Sequence, residues 1–243
     1  IIRFKDESLT EFANRLASIY NSNNTKLSKK DKGQFFTPTL VAKYIASFAD
    51  TSKREVSILD PGAGVGILSV ALIEKLFIEG NVKKISLVCY ETDQYAIPYL
   101  KSLLEETNRS LSGKISFDYV IIDEDFVLSK ANVLNNTSAD YNQSKEQLFD
   151  IVISNPPYFK LNKKDFSTAV FKDIISGQPN IYFLFMAISS KLLNDEGEMI
   201  FITPRSFCSG LYYSKFRKWL IEKVNFTNIH IFDSRKELFA KEN

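Results

Sequence analysis

The tetrapeptide at positions 155–158, Asn-Pro-Pro-Tyr, is the segment of this sequence best suited to chemistry. It follows a short apolar run, and two consecutive prolines cannot continue a sheet because neither has an N–H to donate. The chain therefore leaves a predicted strand at a fixed angle. The Asn155 side-chain oxygen and the Pro156 carbonyl can accept both N–H groups of a planar amine, while Tyr158 stacks on the ring that carries it. Binding of this kind would free the nitrogen lone pair for an electrophile and stabilise the positive charge that develops on it.

A glycine-rich segment follows the first predicted strand, at positions 60–66 (Asp-Pro-Gly-Ala-Gly-Val-Gly). Alternate glycines allow the backbone to pass close to a ligand at a helix N-terminus. The pattern that binds dinucleotides needs a third glycine at position 67, which is Ile67 here, so the pattern fails. Glu91 stands at the tip of the second predicted strand, where an acid can accept hydrogen bonds from ribose hydroxyls. These features predict a cofactor that contains a nucleoside but no pyrophosphate.

Asp125 and Phe126 follow the third predicted strand within a few residues. An acid beside an aromatic ring could bind and cover an adenine, although the pair is equally typical of a loop acid next to a core residue. The single histidine, His230, falls inside a predicted strand, Phe226 to Phe232, and is expected to be structural.

Composition narrows the functional classes. The chain has 243 residues, of which 44% are hydrophobic and 25% charged, with a net charge of +2, as in an ordinary globular protein with no global attraction to nucleic acid. No apolar run reaches the length of a membrane span. Two cysteines and one histidine predict a reducing, cytoplasmic setting and no metal site. Local basic clusters are Lys26, Lys29, Lys30 and Lys32; Lys160, Lys163 and Lys164; and Arg205, Lys215, Arg217 and Lys218.

Strands alternate with helices along the chain, which predicts an α/β fold: a mostly parallel sheet with helices on both faces. We expect six strands, of which the last two are Met199 to Thr203 and Phe226 to Phe232. The connection over residues 123–148 is polar and asparagine-rich, which argues against a regular element there.

Four segments resemble, in order, the gamma-class N6-adenine DNA methyltransferases of restriction–modification systems. They are positions 33–38 (Gly-Gln-Phe-Phe-Thr-Pro), positions 60–66, Glu91, and positions 155–158. The first segment is the most discriminating, because in this class it precedes the glycine loop. The resemblance implies a Rossmann-like S-adenosylmethionine-dependent methyltransferase fold that acts on adenine in double-stranded DNA.

The resemblance also implies a role for each matching residue. Thr37, Asp60, Gly62 and Gly64 would lie near the amino-acid end of S-adenosylmethionine; Glu91 would hold the ribose; Asp125 and Phe126 would hold the cofactor adenine; and Asn155, Pro156, Tyr158 and Phe239 would hold the target adenine.

On this interpretation residues 1–35 form an N-terminal helix and a mobile basic segment, and residues 36–243 form the catalytic domain. The C-terminal domain with which the family reads DNA sequence is expected to be absent from this stretch of chain. A restriction subunit or a fused nuclease is a possible partner. Two alternatives stay open: a methyltransferase acting on protein glutamine or on ribosomal RNA, and a DNA-binding remnant without catalysis.

Overall fold

The computed structural model describes residues 1–23, 37–134, 146–161, 174, 180–210 and 213–232, apart from the Ser206 side chain. Five strands form one parallel sheet in the order β3-β2-β1-β4-β5. They are β1 (Glu55–Asp60), β2 (Lys84–Tyr90), β3 (Ser116–Ile122), β4 (Phe149–Ser154) and β5 (Leu193–Phe201). The predicted α/β class with a parallel sheet is confirmed.

Eight α-helices are assigned in the described part of the chain. They are α1 (Leu9–Asn23), α2 (Thr39–Ala46), α3 (Ile67–Glu79), α4 (Ile97–Leu111), α5 (Phe126–Lys130), α6 (Tyr182–Lys191), α7 (Ser206–Ser209) and α8 (Ser214–Ile221); a 3-10 turn covers Ala131–Leu134. Each face of the sheet carries its own apolar core. The first core contains buried side chains of α1 to α4, and the second contains those of α5, α6 and α8. Helices therefore cover both faces, as predicted.

The sequence explains why helix α6 lies against the sheet. Its residues from Tyr182 to Ser189 are all buried, as expected of a helix that is apolar on every side. Helix α1 is amphipathic instead, and Phe12, Ala13 and Leu16 enter the first core with exposed fractions of 0%. Its first turn is held by Glu74 of α3, whose carboxylate accepts the Leu9 N–H at 2.6 Å and the Thr10 hydroxyl.

Three predictions about elements are wrong for the described residues. Phe226 to Phe232 pairs with no strand and is assigned no regular structure. Strand β5 begins at Leu193 rather than at Met199, because a register shift within it accommodates the polar segment at 194–197. Helix α5 and the 3-10 turn occupy part of the connection expected to be irregular.

The strand order reverses between β1 and β4. The chain runs outward through β2 and β3 on one side of β1 and through β5 on the other side of β4. In open parallel sheets, ligands bind in the crevice outside the carboxyl ends of the strands at such a reversal. The glycine-rich loop and the Asn-Pro-Pro-Tyr turn follow these two strands, so the fold places both beside that crevice.

Candidate active site at the carboxyl edge of the sheet

The glycine loop turns sharply between β1 and α3. Gly64 and Gly66 adopt φ angles of 56° and 90°, which L side chains rarely tolerate. The Ala63 N–H donates to the Tyr90 carbonyl at 3.0 Å, so the loop is joined to the end of β2. A Cβ atom at Gly62 would lie 3.4 Å from the ring of Phe185. The loop is therefore a tight backbone surface with little room for side chains.

Asp60 ends β1 with its carboxyl group almost fully buried, at 1% exposure. Its Oδ2 accepts a hydrogen bond from the Ser69 hydroxyl at 2.7 Å. Its Oδ1 has no hydrogen-bond partner among the described residues. Burial raises the pKa of Asp60 to about 7, because an ionised carboxylate loses its hydration there. An unsatisfied buried oxygen beside the loop is a group available to a ligand.

Glu91 joins the end of β2 to the glycine loop. Its Oε2 accepts the Gly64 N–H at 2.7 Å, and its Oε1 accepts the Asp93 N–H at 2.7 Å. Burial raises the pKa of Glu91, which is only 7% exposed. A carboxylate has about four lone-pair sites, so it can accept further donors from a ligand in addition to these two.

Asp125 and Phe126 follow β3, as predicted, but they have different environments. Asp125 caps helix α5, and its Oδ1 accepts the Leu128 N–H at 2.8 Å. Phe126 is 2% exposed and packs against Tyr90 and Phe185, with ring centroids 5.2 and 5.3 Å apart. A carboxylate therefore lies on the surface there, while the neighbouring ring belongs to the core.

Asn155 ends up between two polar side chains at the end of β4. Its Nδ2 lies 3.1 Å from Thr37 Oγ1, and its Oδ1 contacts the Tyr158 hydroxyl. That hydroxyl also lies 2.8 Å from the Ile202 carbonyl oxygen. A phenol has one proton, so Tyr158 donates to one of these oxygens at a time. Thr37, 118 residues earlier in the chain, thus meets the amide of the predicted catalytic turn.

Tyr158 is partly buried in this arrangement. Its ring meets Tyr182 edge-on, with centroids 6.0 Å apart and planes at 82°. Pro156 is buried beside it. The stacking of Tyr158 on a base stays a prediction.

Several predicted residues lie outside the described part of the chain. They are Phe239, positions 33–36 of the resemblance, and the lysines at 26, 29, 30, 32, 163 and 164. Within the described part, Arg217 donates to the carbonyls of Phe207 and Gly210 at 2.9 and 2.8 Å, so it has an internal role. Lys160 and Arg205 are exposed after β4 and β5.

His230 is not in a strand, contrary to expectation. It lies in an exposed segment, where its Nδ1 is 2.8 Å from the Tyr44 hydroxyl and its ring contacts those of Tyr44 and Phe48. The described residues contain no group of three or more metal-binding side chains. No helix in the described ranges is both long enough and apolar enough to cross a membrane.

Sequence reasoning missed two residues that contact this site. Asp93 is 2% exposed, and its Oδ2 accepts the Tyr20 hydroxyl at 2.6 Å. Two features of the sequence could have indicated these residues: Asp93 is an acid two positions beyond Glu91, and Tyr20 is a tyrosine on the apolar side of helix α1. A buried tyrosine needs a hydrogen-bond partner.

Comparison with known proteins gives consistent results. Residues 73–239 match the family model of the Eco57I restriction-modification methylase. The type II methyltransferase M.PstI of Providencia stuartii is 31% identical over 97% of this chain and 45% of its own length. M.BsuBI of Bacillus subtilis is 33% identical over 87% of this chain and 41% of its own. The chain thus spans less than half the length of these curated relatives.

Solved structures confirm the fold. A protein of Listeria monocytogenes assigned to the class I S-adenosylmethionine-dependent methyltransferases superposes with a TM-score of 0.64, at 18% identity over 91% of this chain and 62% of its own. The methyltransferase subunit of a type I restriction-modification system from Streptococcus thermophilus gives 0.54, at 18% identity over 78% of this chain and 38% of its own. The predicted methyltransferase fold is confirmed, and the chain belongs to the Eco57I restriction-modification methylase family.

Proposed function

We propose that this chain is the catalytic part of an enzyme that transfers a methyl group from S-adenosylmethionine to N6 of adenine in double-stranded DNA. One observation carries the proposal. The amine-binding turn at Asn155 and the glycine loop held by Glu91 follow strands that flank the reversal of strand order. Membership of a restriction-modification methylase family supports DNA as the substrate and argues against protein glutamine or ribosomal RNA. Adenine is the finer inference, drawn from the chemistry of the turn.

The described residues fit S-adenosylmethionine. The unpartnered Asp60 Oδ1 is a suitable acceptor for an ammonium group, and Glu91 keeps lone pairs for ribose hydroxyls. Asp125 offers an exposed carboxylate at the end of β3, where the adenine amine would be bound. Phe126 is so deeply buried that its predicted contact with adenine requires neighbouring side chains to move. When bound, the cofactor supplies an electrophilic methyl group.

The turn activates the amine by orientation. An exocyclic amine is a poor nucleophile because its lone pair is conjugated with the ring. Hydrogen bonds to Asn155 Oδ1 and to the Pro156 carbonyl would favour a tetrahedral nitrogen and stabilise its developing charge. One lone pair of the Asn155 oxygen faces the Tyr158 hydroxyl, and an amide oxygen has a second. The mechanism needs no strong general base.

The target base must leave the helix, because its amine is unreachable inside a duplex. Lys160 and Arg205 follow β4 and β5, on the same edge of the sheet as the turn, and are exposed. We expect them to contact phosphates, which position DNA without specifying sequence. Four further points stay predictions: the C-terminal domain that reads the DNA sequence, a restriction partner, the domain division at residue 35 and the cytoplasmic location.

The test is transfer of tritiated methyl groups by the full-length protein to duplex DNA, followed by mass spectrometry of the nucleosides. We expect N6-methyladenine. Asn155→Ala should lower kcat roughly 100-fold or more, as removal of a preorganised dipole does. Asn228→Ala, at an exposed asparagine outside the turn, should leave kcat unchanged. Methylcytosine as product, or full activity of Asn155→Ala, would contradict the proposal.

A further inference from the structure

We propose that Tyr20 is a positioning residue of the cofactor site, which makes helix α1 part of that site. Tyr20 lies near the end of α1 and is 2% exposed. Its hydroxyl donates to Asp93 Oδ2 at 2.6 Å across 73 residues of sequence. The inference deepens the proposed function and rests on it.

Asp93 in turn restrains Glu91, the carboxylate expected to bind the ribose. Its backbone N–H donates to Glu91 Oε1 at 2.7 Å, so any shift of Asp93 moves one of the backbone donors that hold Glu91. Asp93 is itself fixed in the turn before α4, where its Oδ1 accepts the Tyr95 N–H at 2.9 Å. The side chain thus joins helix α1 to the segment that connects β2 with α4.

A second donor to Glu91 belongs to a segment that packs in the same apolar cluster as Tyr20. Gly64 donates to Glu91 Oε2, and the next residue, Val65, is buried in one small apolar cluster with Ala17, Tyr20 and Ala96. The ring of Tyr20 therefore restrains the glycine loop while its hydroxyl restrains Asp93. Two backbone donors to Glu91, from Gly64 and Asp93, are thus linked to the same side chain of α1.

The Tyr20 hydroxyl also stabilises charge, because it donates to one of two neighbouring buried carboxylates. Glu91 and Asp93 are buried acids two residues apart, each under 10% exposed. Repulsion between two such carboxylates would separate them unless donors stabilise the charge. The Tyr20 hydroxyl is a donor to Asp93 from outside the β2–α4 segment. Without it, we expect the Asp93 turn to shift and the carboxylate of Glu91 to lose its fixed direction.

The experiment compares Tyr20→Phe with Thr10→Val in the full-length protein. Phenylalanine keeps the ring and removes only the hydroxyl. Thr10→Val removes a different side-chain hydrogen bond of helix α1, from the buried Thr10 hydroxyl to Glu74, ten residues before Tyr20. It therefore controls for loosened attachment of the helix, and thermal unfolding should show a similar loss in both variants.

Cofactor affinity is measured by calorimetry with S-adenosylmethionine and with S-adenosylhomocysteine. Tyr20→Phe should raise Kd about 10-fold, the lower end for a lost hydrogen bond to a charged group. Its KM for the cofactor should rise in parallel while kcat at saturation stays within about 2-fold, since only binding is affected. Thr10→Val should leave both within about 2-fold of wild type.

A ribose-specific probe sharpens the test. The 2′-deoxyribosyl form of S-adenosylhomocysteine lacks a hydroxyl that Glu91 would bind. Wild type and Thr10→Val should disfavour it by about 10-fold or more, and Tyr20→Phe by much less, because an unfixed carboxylate discriminates poorly. Equal discrimination in Tyr20→Phe and wild type, or equal affinity losses in the two variants, would overturn the positioning role. Absence of cofactor binding by wild type would instead overturn the proposed function, and the inference with it.

Discussion

Replacement of Asp60 by asparagine should stabilise this protein, and by more at high pH than at low pH. Asp60 is almost fully buried, its only described side-chain partner is the Ser69 hydroxyl, and burial raises its pKa from 3.8 to about 7. Asparagine is nearly the same shape and can still accept the Ser69 hydrogen bond, but it carries no charge. The variant therefore removes the cost of ionising a buried acid.

Proton linkage explains why the stability advantage of Asp60→Asn increases with pH. The folded state binds this proton more tightly than the unfolded state, so the stability that Asp60 contributes is fully present below pH 3.8 and is lost as pH rises to about 7. The full loss is about 4 kcal/mol, from roughly three pKa units at 1.36 kcal/mol each. About 2 kcal/mol of it is lost by pH 5.5, so the advantage of Asp60→Asn should grow by about 2 kcal/mol between pH 5.5 and pH 8.5.

Urea unfolding followed by circular dichroism at the two pH values measures this difference. The comparison between pH values cancels effects of the substitution that do not depend on pH. Asp118→Asn, at an exposed position of β3, is the control. The difference in unfolding free energy between this variant and wild type should be almost the same at both pH values. A stability difference between Asp60→Asn and wild type that is the same at both pH values would refute burial as the source of the raised pKa. The same variant should bind S-adenosylmethionine more weakly, so stability and affinity should change in opposite directions.

Three further substitutions test the packing and the site. Gly66→Ala should lower the free energy of unfolding in urea by roughly 2–3 kcal/mol. The φ angle there is +90°, and a Cβ would lie 2.7 Å from a leucine of α4. Gly80→Ala is the control: its φ is +77° but nothing lies within 4 Å of a Cβ, so it should cost about 1 kcal/mol. Asp150→Asn should lose about 2 kcal/mol at pH 7, and most of this loss should disappear by pH 2. Burial raises the pKa of Asp150, but hydrogen bonds from lysine, serine and asparagine lower it by more, to about 2. Equal losses at both pH values would contradict this. Thr37→Val should lower kcat about 10-fold in methyl-transfer assays, because Asn155 loses a hydrogen bond that fixes its amide, and Thr37→Ser should restore it.

Local sequence predicted the elements whose signals are local. The sequence predicts strands over Lys84 to Tyr90 and Phe149 to Ser154, and β2 and β4 have these bounds, because each is a short buried apolar run bounded by polar or turn residues. Phe226 to Phe232 has a similar composition but forms no strand, since a strand needs a partner and composition cannot supply one. Helix α5 was missed although Asp125 is a good N-cap, because its five residues are too few for a periodic pattern.

The candidate site shows the same division between local and distant signals. Glu91, the glycine loop and the Asn155 turn were predicted because each is a compact motif at a strand end. Their connections were not, because those are made by residues far apart in sequence: Thr37 reaches Asn155 over 118 residues, and Tyr20 reaches Asp93 over 73. Which polar groups meet depends on the packing of α1 and on the segment before α2, and no local pattern encodes that.

The site also explains why such connections are needed. Asp60 and Glu91 are buried carboxylates at the ends of neighbouring strands, and burial raises the pKa of both, so each destabilises the fold when ionised. A protein retains groups of this kind where binding depends on them, and the surrounding structure must offset their cost. For Glu91 the offset comes from backbone N–H groups, among them those of Gly64 and Asp93. For Asp60 the offset comes from the Ser69 hydroxyl and the Gly62 backbone N–H, and Oδ1, which has no partner among the described residues, is the atom left for a ligand to satisfy. A cofactor that brings an ammonium to Asp60 and hydroxyls to Glu91 would therefore stabilise the protein at two positions where a buried carboxylate is costly to ionise.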